Sequence, residues 1–306
     1  MNTTPSFTHT LRQRWQAADS MLCVGLDPDP ARIPAHLGTG PEAIDRFCRD
    51  IIAATADTVC AFKPQIAYFA AQGAEDVLAG LIAHIHAEHP GIPVILDAKR
   101  GDIGSTARQY GVEAFDRFKA DALTLSPFMG FDSIKPYFEW AGRGLILLCR
   151  TSNPGGNDLQ ALSVLPAGNA TETPPGAPSP RQSASDTASG AQPEKLYEHL
   201  ARLAAGPWNV NGELGLVVGA TFPDELARVR TLAPRLPLLV PGVGAQGGDV
   251  NATVRAGLDA DGYGLVINSS RAILYAGKGT DFADQARKAA VATRDAIRAA
   301  RDAARA

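Results

Sequence analysis

The chain has 306 residues, 45% hydrophobic and 20% charged, which is too apolar for a disordered chain and long enough for one large domain or two ordinary ones. Its 29 lysines and arginines against 32 aspartates and glutamates leave a net charge of −3, without the basic excess of a general nucleic-acid binder. The opening MNTTPSFTHTLRQRW has no apolar signal-peptide core and no apolar run approaches the roughly 18 residues that span a bilayer, so no membrane role and a cytoplasmic location are expected.

In chain order, short apolar runs alternate with longer amphipathic or Ala-rich stretches. The runs are Leu22 to Leu26, Val59 to Phe62, Pro93 to Leu96, Ala122 to Leu125, Leu145 to Cys149, Leu214 to Val218, Pro237 to Val240 and Gly264 to Ile267. Each is rich in Val, Ile or Leu, as a strand buried on both faces requires. Between them, Pro41 to Thr55, Thr106 to Phe118 and Pro223 to Leu232 read as helices, the last with Thr221 as its cap.

The pattern predicts an α/β fold, a (β/α)8 TIM barrel forming a single domain over 1–306, with extra N- and C-terminal helices. A doubly wound open sheet is the competing arrangement, disfavoured because no G-x-G-x-x-G follows the first strand. Ala167 to Gln192, made of Pro, Ala, Ser, Gly and Thr with almost no large apolar residue, is expected to be a flexible, disordered-like insertion before a helix near Glu194 to Ala205. The Ala/Arg-rich segment from Asp281 to Ala306 reads as a terminal helix packed on the barrel or on a partner. Cys23, Cys48, Cys60 and Cys149 lack C-x-x-C spacing and read as reduced core thiols. Asn169-Ala170-Thr171 matches a glycosylation sequon by chance.

A barrel of this kind does its chemistry at the C-terminal ends of the strands. The first run ends in Asp27, the second in Lys63, the third in Asp97 and Lys99, the fifth in Thr151 and Ser152, and the eighth in Asn268 to Arg271. A single such charge is more often structural, but five ends around one rim point to a site. Strand alternation directs Asp97 and Lys99 the same way and Ala98 outward, while Asp102 lies beyond Gly101 and cannot share their face. Lys63 adds a second ammonium. At ~4 Å and an effective dielectric of ~20, neighbouring opposite charges interact by about 4 kcal/mol, enough to hold both lysines protonated and both aspartates ionised. The loops Leu239 to Gly248 and Ile267 to Arg271 each open a helix, where free N–H groups favour an anion, and Arg271 adds a charge-assisted grip.

Together these residues resemble the orotidine 5′-phosphate decarboxylase family, in its longer bacterial form. The likeness runs from Cys23-Val24-Gly25-Leu26-Asp27 through Phe62-Lys63-Pro64, Asp97-Ala98-Lys99-Arg100-Gly101-Asp102-Ile103, Thr151-Ser152-Asn153-Pro154-Gly155, Val217-Val218-Gly219-Ala220-Thr221 and Pro241-Gly242-Val243-Gly244 to Ser270-Arg271. D-x-K-x-x-D also occurs in related sugar-phosphate barrels; Ile103-Gly104-Ser105-Thr106 narrows it to the decarboxylase. The resemblance implies conversion of orotidine 5′-monophosphate to uridine 5′-monophosphate and CO2 with neither cofactor nor metal. It implies Asp97 facing the substrate carboxylate, Lys99 delivering a proton to C6, and Lys63 binding ribose and orienting Asp97. It further implies Asp27 on a ribose hydroxyl, Ser152 on the pyrimidine edge, Gln246 and Arg271 on the phosphate, and Asp102 and Thr106 reaching into the partner's site of a homodimer. The insertion departs from compact members. A Schiff-base aldolase using Lys63 or Lys99, and a non-catalytic phosphate-ligand binder, remain as alternatives.

Overall fold

The computed structural model describes residues 6–165, 192–243 and 248–305. All but Gln192 of the expected insertion therefore lies outside the described residues. The barrel strands are β1 Leu22–Leu26, β2 Ala61–Pro64, β3 Ile95–Arg100, β4 Ala122–Leu125, β5 Gly144–Arg150, β6 Leu214–Val218, β7 Leu238–Pro241 and β8 Leu265–Ser269. They pair in parallel in the order β2-β1-β8-β7-β6-β5-β4-β3. Two isolated parallel bridges, Phe62 to Val94 and Gln65 to Asp97, join β2 to β3 and bring the ring round on itself. Every residue of β1, β2, β4 and β6 is buried, which is why these strands read as mainly apolar runs instead of alternating ones, with Lys63 and Thr124 the polar exceptions.

The outer ring comprises α2 Gly40–Thr55, α4 Glu75–Glu88 after the single-turn α3 Ile66–Ala70, α5 Gly104–Gly111, α6 Leu196–Ala205, α7 Pro223–Leu232, α8 Val250–Gly257 and the short α9 Arg271–Leu274. Two further helices bracket the chain. α1, Phe7–Ala18, buries Phe7, Leu11 and Trp15 beneath the N-terminal ends of the strands, and Gly144 has no side chain because Phe7 packs where its Cβ would be. α10, Phe282–Arg305, buries Phe282, Ala286, Ala290, Ile297 and Ala300 between α2 and α8, so its apolar face covers the barrel. Three of its arginines are tied to other parts of the fold: Arg287 pairs with Asp57, and Arg298 and Arg301 with Asp19. All four cysteines are buried free thiols. Among the described residues no helix is long and apolar enough to cross a membrane.

Three local expectations are corrected. Thr221 does not cap α7; Phe222 holds that position, Pro223 fills the first turn where an N–H is dispensable, and the Thr221 hydroxyl is buried without a partner among the described residues. Glu194 and Lys195 do not begin a helix but pair antiparallel with Ser163 and Val164, and α6 starts only where Glu198 turns back to accept the Lys195 N–H at 2.8 Å. The helix expected from Thr106 to Phe118 begins at Gly104 and becomes a π-helical turn over Val112–Arg117. There Trp140 lies against Gly111, with a ring carbon 2.3 Å from where a Cβ would be.

Candidate active site

The C-terminal ends of the strands surround a cavity of about 540 Å³. Asp27, Lys63, Asp97, Lys99, Ser152 and Arg271 all line it, so six of the nine expected site residues converge. Asp97, 8% exposed, is the centre. Its Oδ2 accepts from Lys63 Nζ at 2.8 Å and its Oδ1 from Lys99 Nζ at 2.7 Å. Burial alone would raise the Asp97 pKa, but the two ammonium groups overcome it and hold the carboxyl well below the usual range. For Lys63 burial acts the other way, favouring the neutral amine, and Asp97 and Asp27 reverse it so that its pKa lies above the ordinary lysine value. The site is thus a fixed chain of alternating charge, with Lys63 buried and Lys99 half-exposed towards the cavity.

Asp97 and Lys99 converge through a bulge. Leu96 pairs with Leu123 and Arg100 with Leu125, so Asp97, Ala98 and Lys99 face the single residue Thr124 of β4. Lys99 adopts φ +48°, a left-handed conformation that costs a non-glycine residue roughly 1–2 kcal/mol. The alternation expected of this segment is therefore replaced by a kink that turns both side chains onto the cavity.

Asp102 and Thr106 are not brought into the cavity. The Asp102 carboxylate accepts the neighbouring Ile103 N–H at 2.8 Å, and Thr106 is exposed on the first turn of α5. Within one chain the hydrogen-bonded array is the triad Lys63–Asp97–Lys99, and Asp102 does not join it. Gln246 lies outside the described residues. The free N–H groups expected at the start of α8 are not free: the Asp249 carboxylate accepts from Asn251 and Ala252 N–H at 2.7 and 3.2 Å. That helix end holds an anion of its own.

Sequence reading missed Thr124, Arg150 and Gln160. Arg150, 1% exposed at the end of β5, reaches Glu225 of α7 with Nε and donates from Nη2 to Asn157 Oδ1 at 2.6 Å, its guanidinium lying over the Phe222 ring. Gln160 Oε1 accepts the Thr151 N–H at 2.8 Å, and its Nε2 donates to Thr151 Oγ1 at 3.0 Å. These bonds anchor the loop that carries Ser152. Gly219 lets that loop approach β6, since a Cβ there would lie 2.8 Å from Ser152 backbone atoms. An arginine ending an apolar run was the available signal for Arg150. Asp27 Oδ1 and Asn268 Oδ1 are buried in the cavity wall without a partner among the described residues.

The sequence pattern of the orotidine 5′-phosphate decarboxylase / HUMPS family matches residues 20–173. The chain belongs to this family. It is 63% identical to the orotidine 5′-phosphate decarboxylase of Azoarcus sp. (strain BH72), covering 96% of this chain and 99% of that one. It is 60% identical to the protein of that name from Dechloromonas aromatica (strain RCB), covering 95% and 98%. Among solved structures, the Leishmania donovani OMP decarboxylase is 39% identical with a TM-score of 0.76, covering 97% of this chain and 99% of that one. The UMP synthase of the same organism is 41% identical with a TM-score of 0.76, and the likeness spans 96% of this chain but 57% of the longer one. The family's fold is the TIM barrel described above.

Proposed function

We infer that the protein is a carboxy-lyase that converts orotidine 5′-monophosphate to uridine 5′-monophosphate and CO2, a step of pyrimidine biosynthesis. The observation that carries this reading is the Lys63–Asp97–Lys99 triad on the wall of a nucleotide-sized cavity, in a chain of this family. Loss of CO2 breaks the bond to C6 and leaves its electron pair in a ring-plane orbital that the π-system delocalises poorly. Stabilisation has to come from outside the ring. The Lys99 ammonium supplies it and then transfers a proton to C6, while Asp97 beside the departing carboxylate disfavours the ground state. Side chains alone carry the proposed chemistry.

The remaining roles follow the polarity of the wall. Asp27 and Asn268 offer acceptors for ribose hydroxyls, Lys63 orients Asp97 and binds ribose, Ser152 reads the pyrimidine edge, and Arg271 with Gln246 grips the phosphate. Phosphate binding far from C6 supplies energy to orient the ring. Asp102 and Thr106, turned away from their own cavity, reach the site of a second subunit in a homodimer. The triad disfavours the Schiff-base alternative, which needs a neutral amine where Asp97 stabilises the ammonium of Lys63. A spectrophotometric assay with orotidine 5′-monophosphate tests the reading: turnover is expected, and its absence in folded protein overturns both this function and its cavity roles.

A further inference from the structure

Thr124 sits mid-strand in β4, 1% exposed, directly opposite the bulge of β3. A hydroxyl offers one donor and two acceptor positions, and this one uses all three on consecutive residues of the catalytic segment. It donates to Asp97 Oδ1 at 2.9 Å. It accepts the Ala98 N–H and the Lys99 N–H, each at 3.0 Å. The register shift takes these two amides out of step with the β4 ladder, and the side chain supplies the acceptor in its place. One of the two belongs to Lys99, whose left-handed backbone needs such a clamp to persist.

We propose that Thr124 is a positioning residue that fixes Asp97 and Lys99 as one rigid unit, setting the distance from the Lys99 ammonium to the reacting carbon. This rests on the decarboxylase reading. An apolar residue of the same shape would fill the space but leave two part-buried N–H groups without this acceptor and Asp97 Oδ1 with Lys99 alone. The carboxylate and ammonium would then remain paired yet be free to drift from the geometry the proton transfer requires. The consequence falls on the chemical step, because Thr124 holds the groups that act on C6 and not those assigned to phosphate or ribose.

The test compares wild-type protein with Thr124→Val and Thr124→Ser for turnover of orotidine 5′-monophosphate, with thermal unfolding run on each. Val, nearly isosteric without the hydroxyl, is expected to lower kcat roughly 10- to 100-fold while KM changes less than about threefold. Ser, which keeps the hydroxyl and loses the methyl, is expected to return kcat to within about threefold of wild type. Should Val leave too little folded protein, Thr124→Cys takes its place, with the same loss expected from its weak hydrogen bonding. An unchanged kcat in the Val or Cys variant overturns the proposal, as does equal impairment of Ser and Val, which assigns the effect to packing. A wild-type protein without turnover overturns the decarboxylase reading itself, and the clamp's catalytic role with it.

Discussion

Two carboxylates stand at opposite ends of the β3–β4 pair, and each accepts three hydrogen bonds. Asp121, just before β4, takes the Val94 N–H at 2.8 Å, His86 Nε2 at 2.9 Å and Arg143 Nη1 at 2.9 Å. Asp97, at the far end of β3, takes Lys63, Lys99 and Thr124. Around Asp121 the ladder is regular, with Ile95 opposite Ala122, and its bonds tie a helix and two strand starts together. Around Asp97 the ladder is bulged and the backbone of Lys99 is strained. The chemistry of the two clusters is alike; what separates them is geometry. One joins segments of chain to each other, while the other spends backbone regularity to hold charges against an open cavity, and that is the arrangement expected of a functional site.

The comparison breaks most visibly at Lys99. Lys99→Ala is expected to lower kcat by between ~10² and ~10⁴-fold, the range typical of a positioned acid, while a nucleotide monophosphate still binds. Steady-state kinetics beside ligand titration checks this, and near-normal turnover removes the proton-donor assignment.

The second prediction sharpens the electrostatic side. Because the folded-state pKa of Asp97 is lowered from 3.8, its charge stabilises the fold above about pH 3.8, and this contribution fades as pH falls towards the folded value. Asp97→Asn mimics the protonated acid. Breaking a buried pair costs about 3–5 kcal/mol, so the variant should be less stable than wild type by about that much at pH 7, with the gap narrowing between pH 4 and 3. Urea unfolding at both ends reads it out. A gap independent of pH shows that Asp97 is held by packing and not by its charge.

A third outcome concerns the residues the cavity leaves out. If Asp102 serves a second subunit, mixing inactive Lys99→Ala and Asp102→Ala chains gives heterodimers in which one site has both residues intact and the other has neither. Activity is expected to return in proportion to the heterodimer fraction, reaching at most half of wild type per heterodimer. Heterodimers as inactive as their parents place Asp102 within its own chain.

How much of this was legible in the sequence follows the same division. Strands buried on both faces are continuous apolar runs, so β1, β4 and β6 carry the expected limits to the residue. Charges that end such runs mark the rim, and Asp27, Lys63, Asp97 and Lys99 were visible on that ground. The bulge was not, because a period-two reading of Asp97 and Lys99 gives the same convergence and hides the kink that produces it. Thr124 was hidden for the opposite reason: one hydroxyl in Ala122-Leu123-Thr124-Leu125 looks like an ordinary strand residue, and its role exists only across the ladder. Asp249 lies just past the glycine loop read as an anion site, and its capping of α8 depends on a backbone turn that composition does not encode.

The smallest expected effect tests the other side of the comparison. Asp121→Asn keeps one acceptor oxygen but sets an amide donor against a backbone N–H, a histidine nitrogen or a guanidinium, so at least one of its three bonds is lost. Bonds to a charged acceptor contribute about 1.5–3 kcal/mol each, and partial exposure places the loss at the low end. A fall of about 1–2 kcal/mol in unfolding free energy, a few degrees in Tm, is expected. Asp121 does not line the cavity around Asp97, and Ala122 and Leu123 remain paired with Ile95 and Leu96, so kcat should stay within about twofold. If kcat instead falls tenfold in folded protein, the two ends of the strand pair are mechanically coupled. The regular end would then belong to the catalytic device, because a register held at Val94 would be what places the bulge at Asp97.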